Sequence, residues 1–197
     1  MTLQLFSALV LFAFVSSITP GPNNLMLLAS GANFGFRRTI PHMLGISLGH
    51  AVMVSIVGIG LVEIFDRVPQ TYSILAIASA IYLLWLAWKI AHAAEPGKGR
   101  ESGTPMTFLQ AALFQWVNPK AWYMALTAIT LYAADRTLAG VITVALVFAC
   151  VNLPSVSTWA LLGQQIRRIL TNPTRLRVFN WTMALLLIAS LVPVLLP

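Results

Sequence analysis

The stretch Ile18-Thr19-Pro20-Gly21-Pro22-Asn23-Asn24 ("ITPGPNN") separates two apolar runs, "LFSALVLFAFVSS" before it and "LMLLASGANFGF" after it. Proline removes a backbone donor and clashes with the preceding turn, and the residue ahead of it avoids the α region. Thr19 and Gly21 each precede a proline, so helix is expected to lapse across roughly 19–22. Pro22 then suits the first position of a new helix, where its missing N–H costs nothing. Either the chain is merely kinked here, or one long apolar segment is cut into two half-helices. Five breaker or amide residues in 20–24 exceed what a kink needs.

The composition says what surrounds this break. Of 197 residues, 58% are hydrophobic and 9% charged, with a mean hydropathy of +0.83. Soluble domains carry about a quarter charged residues, so this chain is read as an integral membrane protein. Apolar runs of about 20 residues, the length that crosses a bilayer, recur at 3–35, 40–62, 68–91, 107–132, 137–162 and 178–196. The N-terminus "MTLQLF" lacks the positive region and cleavage site of a signal peptide, so the first segment is expected to persist as a helix. The fold class is therefore all-α, one transmembrane domain over 1–197 with six membrane helices.

Charge gives the orientation. Arg37 and Arg38 fall in the first loop, Lys89, Lys98 and Arg100 in or beside the third, and Arg167, Arg168, Arg175 and Arg177 in the fifth. The second and fourth loops hold only Arg67 and Arg136. Basic loops stay cytoplasmic, which puts both termini outside. The net charge of +7 thus reads as topology with some attraction to anionic lipid, not as a nucleic-acid surface. The polar loop "HAAEPGKGRESGTP" is expected to be a cytoplasmic linker at about 92–106, dividing the chain into halves of about 1–91 and 107–197.

The halves echo each other. Asn118-Pro119-Lys120 interrupts the fourth span as the opening motif interrupts the first. Both arginines that follow, Arg38 and Arg136, start an "RT" plus aliphatic segment. Three crossings per half is odd, so the second half runs inverted, an arrangement whose broken helices put a transport site near the bilayer midplane. Helices 1 and 4 are then broken mid-membrane. Each half-helix would begin with free N–H groups and the positive dipole end, which favour an anion such as a carboxylate.

Lys120 is the one charge expected near the middle of a span, where insertion costs about 2.5–3.5 kcal/mol. It reads as the partner of a substrate carboxylate or a group that takes up and releases a proton; the alternative is that it reaches an interface. Asn23 and Asn24 would repair the opened backbone and line the site together. His50 and Asn152 are mid-span polar residues on corresponding helices. His50 either faces the cavity, where it would be a second proton-coupling candidate, or bonds across the close helix contact that Gly45 and Gly49 ("GISLG") permit. That GxxxG pair also permits a homodimer. Trp116 and Trp122 flank the second break and would wall a cavity. Cys150, the single cysteine, excludes an intrachain disulfide and is expected as a small buried hydrophobe. Glu63, Asp66 and Asp135 border loops, so no acid is expected mid-span for a cationic ligand. No cofactor or metal site is expected.

"TPGPNNLML" in the first span, "NPKA" in the fourth and "GISLGH" in the second resemble the lysine-exporter superfamily, and within it the homoserine/threonine efflux (RhtB-type) branch. The resemblance implies a bacterial inner-membrane exporter of neutral amino acids or their derivatives, coupled to proton inflow. By position it implies Pro20, Gly21, Pro22, Asn23, Asn24, Asn118, Pro119 and Lys120 as motif residues. Relatives that move divalent metals or handle thiols need acidic, histidine or cysteine clusters in their spans, which are missing here. The expected substrate-binding set is Thr19, Pro20, Gly21, Pro22, Asn23, Asn24, Asn118, Pro119, Lys120 and Asn152. Competing readings are a carrier for an inorganic ion or another small metabolite, and a subunit that transports nothing. An enzyme would need a nucleophile–base pair that the scattered histidines do not supply.

Overall fold

The computed structural model describes residues 1–61, 70–93, 104–133, 137–170 and 172–192. Most of the expected linker, with Lys98 and Arg100, and the residues Glu63, Asp66, Arg67, Asp135 and Arg136 lie outside the described residues. So does the end of the last expected span.

All regular structure among the described residues is helical. The elements are α1 (Leu3–Ile18), α2 (Pro22–Phe34), α3 (Phe36–Ile56), α4 (Gln70–Ala91), α5 (Phe108–Phe114), α6 (Pro119–Tyr132), α7 (Leu138–Arg167) and α8 (Pro173–Ala189). A π-helical turn, Val57–Leu61, extends α3, and a 3-10 turn, Gln115–Val117, extends α5. The helix starts follow local capping chemistry. Thr2 and Thr137 accept first-turn N–H groups, Thr107 and Gln110 form a capping box, and Asn118 and Asn172 each cap a helix whose first residue is proline.

Three helical stretches, Phe36–Gly60, Ser73–Ala91 and Leu138–Arg167, are long and apolar enough to cross a membrane; the bent pair α1–α2 makes a fourth candidate. The protein is an integral membrane protein of apolar helices. Large apolar side chains such as Leu11, Ile59, Ile77, Leu131 and Leu185 face outward, as lipid requires. The expected boundaries shift where caps intervene: the fifth run continues to Arg167 and the sixth begins at Pro173.

The first break forms where Thr19 and Gly21 precede proline. α1 and α2 meet at 54°, with Thr19 and Gly21 both extended. A second corner follows at Gly35, whose φ of +81° suits glycine. The Phe36 N–H donates to Gln164 Oε1 at 2.7 Å, which fixes this corner to α7. On α2 and α7, Gly31 and Gly163 let the two backbones approach, because a Cβ at Gly31 would overlap the Ala160 carbonyl and one at Gly163 the Leu28 carbonyl. Small residues serve membrane helix contacts in this way.

Gly45 and Gly49 do the same for α3 against α5, where a Cβ would meet the backbone of Phe108 or Ala112. The GxxxG seam is therefore occupied inside the chain and offers no glycine face to a second copy. Asn33 of α2 and Asn180 of α8 exchange amide hydrogen bonds at 2.9 and 3.2 Å, and Asn180 also donates to the Ala93 carbonyl at 3.3 Å. These contacts gather the Gly35 corner and the ends of α4, α7 and α8 at one end of the bundle, carrying Arg37, Arg38, Lys89, Arg167, Arg168, Arg175 and Arg177 with them. Cys150, expected in the core, is exposed on α7; an apolar run facing lipid is as apolar as one facing protein, so sequence could not separate them.

Gly163→Ala should lower stability by about 1–3 kcal/mol, the usual range for overpacking, because the added methyl meets backbone. An unchanged apparent melting temperature in detergent would disprove the interlock.

Candidate functional site

The break at the end of α1 leaves carbonyls without helical partners, and three side chains supply their donors. The amide of Asn24 donates to Ser17 O at 2.8 Å and Thr19 O at 2.7 Å. The Trp159 indole donates to Ile18 O at 2.9 Å. The Lys120 ammonium, from the other break, donates to Thr19 O at 2.8 Å, Thr19 Oγ1 at 2.9 Å and Pro20 O at 3.2 Å. Lys120 thus sits at the negative end of α1, where a cation is favoured. It is not a free charge: all three of its donors have protein acceptors. Gly21 makes room for it, since a Cβ there would lie 2.7 Å from Lys120 Cδ.

The two half-helix starts differ. At α6, Asn118 Oδ1 accepts the Lys120 N–H at 3.2 Å, and Asn118 O accepts those of Ala121 and Trp122 at 3.0 and 3.3 Å. That end is closed to an anion. At α2, Gly21 provides no side-chain cap, so its first-turn N–H groups remain the available donors. The sequence pattern, proline in the first helical position of both, does not distinguish them. Asn172-Pro173 opens α8 with the same grammar and is simply a helix start.

A cavity of about 20 Å³ lies between the breaks, lined in part by Gly21, Asn23, Asn24, Asn118, Lys120 and Asn152. His50 also lines it; its ring packs edge-on against Phe148 at 5.1 Å, and neither ring nitrogen has a hydrogen-bond partner among the described residues. Thr19 and Pro20 contribute oxygens to Lys120 rather than lining, and Pro22 and Pro119 act as the first residues of α2 and α6. Trp122 instead packs in the core, its indole donating to Trp116 O at 2.9 Å. A volume near 20 Å³ holds about one water molecule.

Gln115 was missed. It is completely buried, lines the same cavity, and exchanges amide hydrogen bonds with Asn23 at 2.9 and 3.3 Å. Its signal was present, a polar amide three residues before Asn118 in an apolar span. Ser16 and Ser17 also line the cavity and gave no sign beyond adjacency to the break.

Residues 14–193 match the family described as LysE type translocator. A cysteine/O-acetylserine efflux protein of Escherichia coli is 33% identical over 192 residues, covering 95% of this chain and 96% of that protein. The protein of that name from Klebsiella pneumoniae is 32% identical over 193 residues, 95% of each chain. No solved structure matches the chain.

Asn23→Leu and Gln115→Leu should each cost about 1–3 kcal/mol by stranding the partner amide. The double variant should cost less than the sum of the two. Additive losses in thermal unfolding would rule out the coupling.

Proposed function

The chain belongs to the LysE-type translocators, and we infer that it exports small amino acids with uncharged side chains, cysteine and O-acetylserine among them, across the bacterial inner membrane. The family and its efflux relatives make it a transporter rather than an enzyme. The observation that carries the finer reading is the convergence of both breaks on one cavity, joined by Lys120.

The proposed architecture is six spans in two inverted three-helix halves, with α1–α2 corresponding to α5–α6, α3 to α7 and α4 to α8. In support, α1 lies against α7 as α5 lies against α3, while α3 packs on α7 and α4 on α8. His50 and Asn152, on corresponding helices, line the same cavity. The gathering of seven basic residues at one end supports a cytoplasmic position for that end, with both termini periplasmic.

Recognition follows from the donors. A substrate carboxylate is a stronger acceptor than a peptide carbonyl, so it exchanges with Thr19 or Pro20 oxygens for the Lys120 ammonium. The free N–H groups at the start of α2 face the same anion. The substrate ammonium then takes the carbonyls that Lys120 leaves, with Asn23 and Asn152 as further polar contacts. Ala121, Met124 and Val156 give the side chain an apolar wall. Among the described residues no acid lines this cavity, which suits an uncharged side chain. Carrying a thiol amino acid requires no cysteine in the spans: the protein grips the α-carboxylate and ammonium, and the thiol is cargo rather than reactant. Because the cavity is too small for an amino acid, binding requires α6 to withdraw from the first break, which ties occupancy to alternating access. Inward proton movement is assigned to His50, whose ring nitrogens have no partner among the described residues, and to Lys120 once its acceptors change.

Inside-out vesicles supplied with labelled O-acetylserine test this. Lys120→Met should reduce accumulation at least about tenfold, as loss of one charge-assisted hydrogen bond implies, while the variant still unfolds cooperatively. Transport at the wild-type rate and affinity would refute the assignment.

A further inference from the structure

A second cavity, of about 240 Å³, opens at the basic end of the bundle between α2, α3, α4 and the segment 104–106. It has twelve times the volume of the central one, about 240 against about 20 Å³. One face of α2 runs along both. Asn23 lines the central cavity, and Met26, Ser30 and Asn33, three, seven and ten residues on, line the larger one. That spacing is the i, i+3, i+7 stripe of a single helix face.

The partition between the cavities along this face is identifiable. It consists of the Asn23–Gln115 amide pair and, one turn along, Met26 clustered with Phe114 and Leu83. Phe114 and Gln115 belong to the same broken segment as Lys120. A withdrawal of that segment from α2 would therefore open the partition and loosen the Lys120 contacts together.

The lining suits a small zwitterion with an apolar side chain. Met26, Leu86, Ile90 and Met106 form apolar walls. His42 lines the cavity, is buried, and has no hydrogen-bond partner at either ring nitrogen among the described residues. A buried polar group without a partner is costly, and a neutral imidazole offers one donor and one acceptor, matching a carboxylate and an ammonium. Lys89 and His92 also line it, and among the described residues no carboxylate does. Ser30 and Asn33 are already bonded, to Thr39 and Asn180, whereas His42 has both ring nitrogens without a partner among the described residues.

We propose that this cavity is a receiving site at the basic end, where an amino acid with an uncharged side chain binds before it passes the Met26–Phe114 partition to Lys120. The proposal rests on the transport reading above and adds to it a second, separately occupied site.

The test uses full-length protein in inside-out vesicles with Cys150→Ser, which removes the exposed native thiol, and Ala29→Cys, which puts a thiol on the cavity wall. A small methanethiosulfonate added to the outer solution should modify this cysteine. O-acetylserine, which has no thiol to consume the reagent, should slow the modification at least about fivefold. Adding Lys120→Met should cut transport at least about tenfold yet leave this protection intact, because the receiving site does not use Lys120. Three results would overturn the proposal: no modification although the denatured protein reacts, modification that O-acetylserine does not slow, or protection that disappears with Lys120→Met. Loss of transport without loss of protection separates failure of the central site from failure of this one.

Discussion

The carbonyls at the end of α1 are the constraint on which the rest depends. A helix stopped inside an apolar bundle leaves acceptors that neither lipid nor apolar side chains can satisfy. Here the donors are Asn24, Trp159 and Lys120, which come from α2, α7 and α6. One local defect in the chain thus pins three other helices. The break would not survive without them, and they would have little reason to hold these positions without the break. A half-buried ammonium likewise gains from acceptors, so the cost of Lys120 and the cost of the open carbonyls offset each other.

That pinning is unequal between the two half-helices. α2 is clamped backbone to backbone against α7 by Gly31 and Gly163 and latched at its far end by Gln164 and Asn180. α6 contains no glycine; its Ala121, Ala125 and Ala128 share one apolar core cluster with Met53 and Val54 of α3. Its strong polar tie to the first half is the Lys120 ammonium. Interlocked backbones resist sliding, whereas hydrogen bonds to carbonyls can be exchanged for bonds to a better acceptor. On the proposed reading, the asymmetry makes α6, with the Gln115–Val117 turn before it, the part that a carboxylate would move.

The sequence displayed the breaks because proline and glycine act locally, through excluded backbone geometry that needs no partner. The address of the cavity between the breaks was legible for the same reason: Asn23, Asn24, Asn118 and Lys120, which line it, sit at or beside those residues. What each does was not legible, since it depends on where another helix brings its atoms. Lys120 looked like an open charge because its acceptors lie a hundred residues away. Gln115 was passed over because its partner, Asn23, belongs to the other half. Gly45 and Gly49 fitted a dimer seam or an internal one equally well, and only the position of α5 decides. Cys150 shows the limit peculiar to membrane chains, in which the outside of a helix is as apolar as its inside.

If the cargo is the one proposed, its match to the protein follows from which chemistry stays constant among such substrates. Cysteine and O-acetylserine share an α-carboxylate and an α-ammonium and differ in the group beyond Cβ. A site that recognises the shared part can use backbone atoms and short amides, which is what surrounds the break, and can leave the variable part to apolar contact. Such a site discriminates weakly among small side chains, since a methylene in an apolar pocket changes affinity by about 1–3 kcal/mol. It discriminates strongly against charged side chains, which would lie unpaired beside Met124 and Val156. On that reading, breadth toward small neutral amino acids and refusal of charged ones are two consequences of one arrangement, in which most of the cavity's polar groups gather at the broken backbones and only His50 and Asn152 come from unbroken helices.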